Sequence, residues 1–142
     1  MPRTIFITLP VADVARATAF YTAIGFSKNE TFSGEQSSAM IWSDAIHVML
    51  SRPAMFASLT DKTVVDPRTH TGALFAIGLD SREEVDAINR AAIAAGGREL
   101  HGAEDEGFMY SRAFEDPDGN GWGPFFMDIA ANRAGLSVSE LA

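Results

Sequence analysis

The sequence predicts an α+β fold built from two consecutive βαβββ modules. Its 142 residues, 46% of them hydrophobic, have the length and composition of one domain with a substantial core. One strand, one amphipathic helix and three strands can be assigned in the first half, and the same order returns in the second half. The halves also agree in spacing, since Leu9 superposes on Ile77 with an offset of 68 and Gly25 on Gly96 with an offset of 71. An internal repeat is therefore predicted.

The first module begins with an alternating stretch, residues 4–11, in which Ile5, Ile7 and Leu9 occupy every second position. This period of two predicts a strand. Asp13 is a favourable N-cap, and the helix after it is predicted to end at Gly25. The apolar stripe of this helix consists of Val14, Ala17, Tyr21 and Ile24, with Phe20 beside it. Three strands are predicted to follow, at Phe26–Phe32, Ser38–Ser43 and Ile46–Leu50.

The second module repeats this order. A β-rich apolar run at 73–79 predicts its first strand, and Ser81 followed by two glutamates predicts the start of a helix. That helix is predicted to stop at Gly96. Further strands are predicted at Arg98–His101, Phe108–Glu115 and Trp122–Met127, the last two joined by the turn-forming run Asp116–Gly121.

We assign one domain, residues 1–142, with module one at about 1–56, a linker at about 57–71, module two at about 72–128 and a C-terminal tail at 129–142. There are no cysteines, which excludes disulfides, thiolate metal sites and a cysteine nucleophile. The net charge of −8 resides in residues 72–142, with 13 acids against 5 bases, so nucleic acid is not an expected partner. No secretory signal or membrane-spanning run is evident, and a cytoplasmic protein is expected.

Several short motifs resemble those of a known family. Leu9–Asp13 followed by Ala19-Phe20-Tyr21 and Gly25-Phe26 resembles the opening of domains of the glyoxalase/bleomycin-resistance/dioxygenase superfamily, the vicinal oxygen chelate proteins. The turn Asp116–Asn120 before the last strand is a second hallmark. The resemblance covers nearly the whole chain and is strongest to the predicted lactoylglutathione lyase group. It implies two curved four-stranded sheets around a pocket, commonly in a homodimer, with a divalent metal in the enzymatic members.

The resemblance also implies where the metal ligands would lie. The equivalent positions here are Phe6, Met49, Leu74 and Gly123, none of which offers an oxygen or imidazole donor. We therefore expect no metal and no other cofactor at that place. Strand alternation puts Thr8 beside Phe6, His47 beside Met49, and Phe125 beside Gly123, so the pocket is expected to be mostly apolar.

Two polar features could contribute chemistry or contact a ligand. His47 is the candidate acid or base of the pocket, although it could equally be a wall residue that hydrogen-bonds a neighbour. Tyr110 and Arg112 lie two apart on one strand and could together bind a carboxylate or a phosphate-like group. The alternative is a surface ladder on the sheet in which Arg112 pairs with Glu115 or Asp116. His70 and His101 are expected outside the pocket.

The preferred hypothesis is a protein of this superfamily with a metal-free, mostly apolar pocket for a small organic ligand, either a binding protein or a metal-independent enzyme. One alternative is a metal-dependent lyase or isomerase of lactoylglutathione-lyase type that recruits its metal through other residues. The other is a non-catalytic, drug-sequestering resistance protein. A homodimer is expected. The sequence does not indicate which protomer supplies each wall of the pocket.

Overall fold

The chain folds into two four-stranded mixed sheets, each with one long helix against one face, and this confirms the predicted pair of βαβββ modules. A computed structural model describes residues 3–128, so the predicted tail at 129–142 lies outside the described residues. The first module contains β1 Ile5–Pro10, α1 Val14–Ala23, β2 Ser27–Asn29, β3 Ser37–Ile41 and β4 Ile46–Ser51. After a short helix, α2 Pro53–Ala57, the second contains β5 Leu74–Gly78, α3 Arg82–Ala94, β6 Arg98–Asp105, β7 Met109–Glu115 and β8 Gly121–Met127.

The helices begin and end where the capping residues predict. The Asp13 side chain accepts a hydrogen bond from the backbone N–H of Arg16, and the Ser81 side chain accepts one from that of Glu84. Just past the ends of α1 and α3, Gly25 and Gly96 have φ of +114° and +104°, a region that glycine adopts without strain. The equivalent glycines therefore stop equivalent helices.

Two strands, β2 and β6, differ from their predicted extents by more than two residues. β2 spans only Ser27–Asn29, because Asn29 caps a 3₁₀ turn at Glu30–Phe32 with its side chain and so ends the strand early. β6 continues to Asp105, beyond the predicted end at His101, and its pairing with β7 shifts register on both sides of His101.

The two sheets have the same topology, and their parallel strand pairs have the same register. Their strand orders are β1-β4-β3-β2 and β5-β8-β7-β6, with the first and last strands of each module parallel. Phe6 pairs with His47, and Met49 lies two residues further along β4. Leu74 pairs with Gly121 in the same way, and Gly123 lies two residues further along β8. Phe6 is thus structurally equivalent to Leu74, and Met49 is equivalent to Gly123. These are the four positions at which the family resemblance implies metal ligands.

A shared core lies between the two modules. It is formed by the helix-bearing faces of both sheets together with α1 and α3, and its members include Leu9, Val48, Ile77, Phe114 and Trp122. Aromatic contacts connect the modules, among them Phe20 with Phe114, Tyr21 with Trp122 and Phe26 with Trp122. The opposite faces of the two sheets therefore point away from this core, back to back.

A buried polar network also joins the modules. The Tyr21 hydroxyl on α1 donates to Asp116 Oδ2 at 2.6 Å and accepts from Trp122 Nε1 at 2.9 Å. Asp116 accepts three more bonds within its own turn, from the backbone N–H groups of Asp118 and Asn120 and from the Asn120 side chain. Burial raises the pKa of the Asp116 carboxyl, and burial beside Asp116 raises that of the Tyr21 phenol. The hallmark turn thus anchors the first helix to the second sheet.

Within residues 3–128, no helix is both long and apolar enough to span a bilayer.

Candidate functional site

The outward face of the second sheet carries an apolar cavity of about 560 Å³. It is lined by Leu74, Phe75, Ala76, Leu100, His101, Met109, Ser111, Arg112, Ala113, Trp122, Gly123, Phe125 and Met127. Four sequence-predicted residues therefore come together here: Leu74, Arg112, Gly123 and Phe125. A side-chain carbon placed on Gly123 would meet only the Arg112 carbonyl oxygen, at 3.8 Å, so glycine leaves space in the cavity. This size and lining are typical of small-molecule pockets.

The outward face of the first sheet carries the other predicted residues, Phe6, Thr8, His47 and Met49. Phe6 and His47 are stacked, with ring centroids 4.3 Å apart and ring planes 8° apart. His47 Nε2 lies 3.1 Å from the Asp44 carbonyl oxygen. The imidazole therefore packs against a neighbouring ring and contacts the backbone, and no second titratable side chain is bonded to it among residues 3–128.

One chain does not bring these two sets of residues together. The side chains of Phe6 and Met49 alternate with core residues of the first sheet, as those of Leu74 and Gly123 do with core residues of the second. Both sets face away from the shared core, and the cavity over the second sheet has no lining residue from the first module. Phe6 is 60% exposed and Leu74 75% exposed. Both faces are thus open in the single chain.

The side chains of Tyr110 and Arg112 point to the opposite, helix-bearing face of the second sheet, and of the two residues only Arg112 is part of the cavity lining. The Tyr110 hydroxyl donates to Asp86 Oδ1 of α3 at 2.6 Å. The Arg112 guanidinium donates to Asp86 at 2.9 Å and to Glu99 at 2.7 Å. Only the Arg112 backbone carbonyl reaches toward Gly123. The expected pairing of Arg112 with Glu115 or Asp116 is wrong, because Arg112 pairs with Asp86 of α3 and Glu99 of β6.

The hydrogen bond from Tyr110, together with those from Arg112, lowers the pKa of the Asp86 carboxyl. The same hydrogen bond to Asp86 raises the pKa of the Tyr110 phenol. Arg82 of α3 lies over the Tyr110 ring, 5.2 Å from its centroid. These contacts tie α3 to its sheet.

His101 was expected outside the pocket, yet it lines the cavity over the second sheet. Its Nδ1 lies 2.8 Å from the Gly102 carbonyl oxygen and 3.6 Å from Glu104 Oε1. The register shifts on both sides of His101 change which side chains of β6 point outward. Strict alternation from the predicted strand could not have identified this residue, because a bulge interrupts the period of two.

The fold defines a class: small α+β proteins built from two βαβββ modules, each with a four-stranded mixed sheet. The sequence model of the Glyoxalase/Bleomycin resistance protein/Dioxygenase superfamily matches residues 4–123, and the chain belongs to this superfamily. No curated protein matches the chain significantly.

Solved structures share the fold at low sequence identity. A hypothetical protein of S. aureus is 21% identical, with 89% of this chain and 94% of the other aligned and a TM-score of 0.75. A glyoxalase-related enzyme from Fulvimarina pelagi is 20% identical, covering 89% of this chain and 88% of its own, with a TM-score of 0.74. A lactoylglutathione lyase from Agrobacterium tumefaciens is 20% identical, with 88% of this chain and 93% of the other aligned and a TM-score of 0.61.

The residues at the positions implied for metal ligands do not offer the nitrogen or oxygen donors that a divalent metal needs. Phe6, Met49 and Leu74 have carbon or thioether side chains and Gly123 has none, and these four occupy the equivalent positions in the two sheets. Among residues 3–128, no three His, Asp or Glu side chains are grouped closely enough to hold an ion. What the cavity over the second sheet offers a ligand is therefore apolar walls and isolated polar groups.

Proposed function

We propose that this protein is a small-molecule-binding member of the glyoxalase superfamily that holds a mostly apolar organic ligand against its second sheet without a metal. The observation that supports this most directly is the cavity of about 560 Å³ whose floor is formed by Leu74, Ala76, Gly123 and Phe125. Burial of apolar ligand surface against such a floor supplies the affinity. His101 and Ser111 are the polar side chains at its lining and would orient the ligand.

We further propose that a second copy of the chain closes the pocket. The cavity has one wall, and the matching apolar surface of Phe6, His47 and Met49 lies on the far side of the same chain, where it cannot reach its own second sheet. A two-fold axis would place the first sheet of each protomer over the second sheet of its partner and form two equivalent pockets. Such a dimer would cover Phe6 and Leu74, whose exposure is costly in an isolated chain.

The assembly is tested with a charge placed on the proposed interface. Leu74→Asp should convert the dimer to a monomer at micromolar concentration, because an aspartate buried at the interface would lose its hydration without gaining a partner. Leu59→Asp is the matched control, since Leu59 is 65% exposed and lies outside both sheets. Sedimentation equilibrium should give the dimer mass for the wild type and for the control. A monomeric wild type would refute the proposal.

Ligand binding is tested by filling the cavity. Gly123→Phe should abolish binding of any organic molecule that native mass spectrometry finds on the purified wild type, because the ring would occupy the space that glycine leaves. Gly102→Phe is the control, since a side-chain carbon on Gly102 meets no atom within 4 Å. Native mass spectrometry of each purified protein reports bound organic ligand and metal together. Equal ligand occupancy in the Gly123→Phe variant, or a stoichiometric metal in the wild type, would contradict the proposal.

A further inference from the structure

His101 brings an open hydrogen-bond acceptor to the cavity over the second sheet. Its Nδ1 lies 2.8 Å from the Gly102 carbonyl oxygen and 3.6 Å from Glu104 Oε1. A carbonyl oxygen can only accept a hydrogen bond, so Nδ1 must carry the proton, and in the neutral imidazole Nε2 then holds a lone pair. This nitrogen has no hydrogen-bond partner among residues 3–128, and the His101 side chain is 46% exposed. The acceptor is therefore accessible to a ligand.

Strand pairing places His101 within reach of a ligand that lies over Gly123. His101 pairs with Ala113 across β6 and β7, and the register of β7 with β8 sets Gly123 opposite Ala113. Directly paired residues share one face of a sheet, and all three line the cavity. The two steps between strands separate His101 from Gly123 by about 10 Å. A molecule that fills the space left by Gly123 and extends across β7 therefore meets the imidazole.

The rest of the lining favours an apolar ligand without a charge. Leu74 and Phe125 supply aliphatic and aromatic walls. Among the described residues that line the cavity there is no carboxylate, and the Arg112 guanidinium is already paired with Asp86 and Glu99. A cationic ligand would lose hydration here without gaining an anion, and an anionic ligand would meet the lone pair of the imidazole. A neutral hydroxyl or N–H group is the donor that matches this acceptor.

We propose that the ligand of this cavity is a neutral, elongated aromatic molecule with one hydroxyl or N–H donor at its end, and that His101 selects it by accepting a hydrogen bond at Nε2. A fused pair of rings is long enough to extend from the Gly123 space toward His101 and can bury its faces against Phe125. This proposal rests on the small-molecule function proposed above. It adds the class of ligand and the residue that determines specificity.

The test uses two probes with the same rings, 2-naphthol and 2-methoxynaphthalene, of which only the first has a donor. ¹H–¹⁵N NMR titrations are run at about pH 8, above the pH at which imidazole side chains ordinarily titrate. In the wild type, both probes should shift the amide signals of Ala113 and Gly123 in a saturable way, which gives a dissociation constant for each.

His101→Leu should weaken 2-naphthol about fivefold, the effect of one net hydrogen bond, and should leave the affinity for 2-methoxynaphthalene unchanged. Leucine keeps an apolar wall of similar size and removes the acceptor. His70→Leu is the matched control, because it makes the same change at an exposed histidine that does not line this cavity. It should bind both probes as the wild type does.

The ring nitrogen signals of His101 give a readout that a merely structural role would not change. Long-range ¹H–¹⁵N spectra of the wild type should identify Nδ1 as the protonated nitrogen. Addition of 2-naphthol should move the Nε2 signal in the direction produced by an accepted hydrogen bond. The methoxy probe has no donor and should not produce this change.

Equal weakening of both probes by His101→Leu, or no weakening of either, would overturn the proposal, as would a proton on Nε2 of the free protein. Saturable binding of both probes at Gly123 would in each of these cases still support the small-molecule function proposed above. The absence of saturable shifts with either probe would overturn this proposal and count against that function as well, so the two failures can be distinguished.

Discussion

Replacing Asp116 with alanine should lower the free energy of unfolding by about 3–5 kcal/mol, the range for breaking a buried network by removing one partner. Four donors point at this carboxylate: the Tyr21 hydroxyl, the Asn120 side chain and the backbone N–H groups of Asp118 and Asn120. Alanine would leave them buried without an acceptor. The loss should be large because the same network joins α1 to the second sheet.

Chemical denaturation followed by tryptophan fluorescence measures this effect, since Trp122 donates to the Tyr21 hydroxyl and reports on the same contact. Asp61→Ala is the control, because it also removes a carboxylate but from an exposed position. It should change the unfolding free energy by no more than about 0.5 kcal/mol. A similar midpoint for both variants would mean that the turn is not an energetic link between the modules.

Gly97→Ala should destabilise the fold by about 2–3 kcal/mol, the cost of forcing a methyl group into closely packed structure. A side-chain carbon at this position would lie 2.5 Å from the Glu115 carbonyl oxygen, 2.8 Å from that of Ala92 and 2.9 Å from the Phe20 ring. Two of these neighbours are backbone atoms of β7 and α3, which cannot rotate away. The strands and helix would have to separate.

Gly102→Ala makes the same chemical change five residues along the chain, at a position where no atom lies within 4 Å. It should be neutral or slightly stabilising, because alanine restricts the unfolded chain. Differential scanning calorimetry of the two variants separates the steric effect from a general cost of losing glycine. Equal melting temperatures for the two variants would show that the structure around Gly97 is more adaptable than its contacts indicate.

The repeated strand and helix order could be predicted from sequence because local chemistry determines it. Asp13 and Ser81 cap helices, and Gly25 and Gly96 end them, through bonds and φ values that involve only nearby residues. The register equivalence of Phe6 with Leu74 follows from the same regularity. These features need no knowledge of how the two modules pack.

The assignment of residues to one face or the other depends on tertiary packing. Alternation correctly puts Tyr110 and Arg112 on the same side of β7, but a period of two does not say which side faces a helix. That is decided by Asp86, on α3, which accepts bonds from both side chains. His101 was missed for another reason, since the register shifts in β6 are produced by its pairing with β7.

The turn Asp116–Asn120 shows a further limit of sequence reasoning. Its Asp, Gly and Asn content is explained by turn formation, and this was the interpretation from sequence. The structure adds a contact between Asp116 and Tyr21, 95 positions apart in the chain, and one between Asp118 and Ala12, 106 apart. Nothing in the local sequence indicates these long-range partners.

The back-to-back arrangement of the two sheets has a consequence for genetics. In a two-fold dimer, each pocket would take its Phe6 wall from one protomer and its Gly123 wall from the other. A substitution on the first sheet of one chain and a substitution on the second sheet of the other chain would then fall in the same pocket. A chain altered only at Phe6, mixed with a chain altered only at Gly123, would form a heterodimer with one doubly damaged pocket and one intact pocket. Two inactive alleles of this gene would then complement each other, whereas two alleles damaged on the same sheet would not.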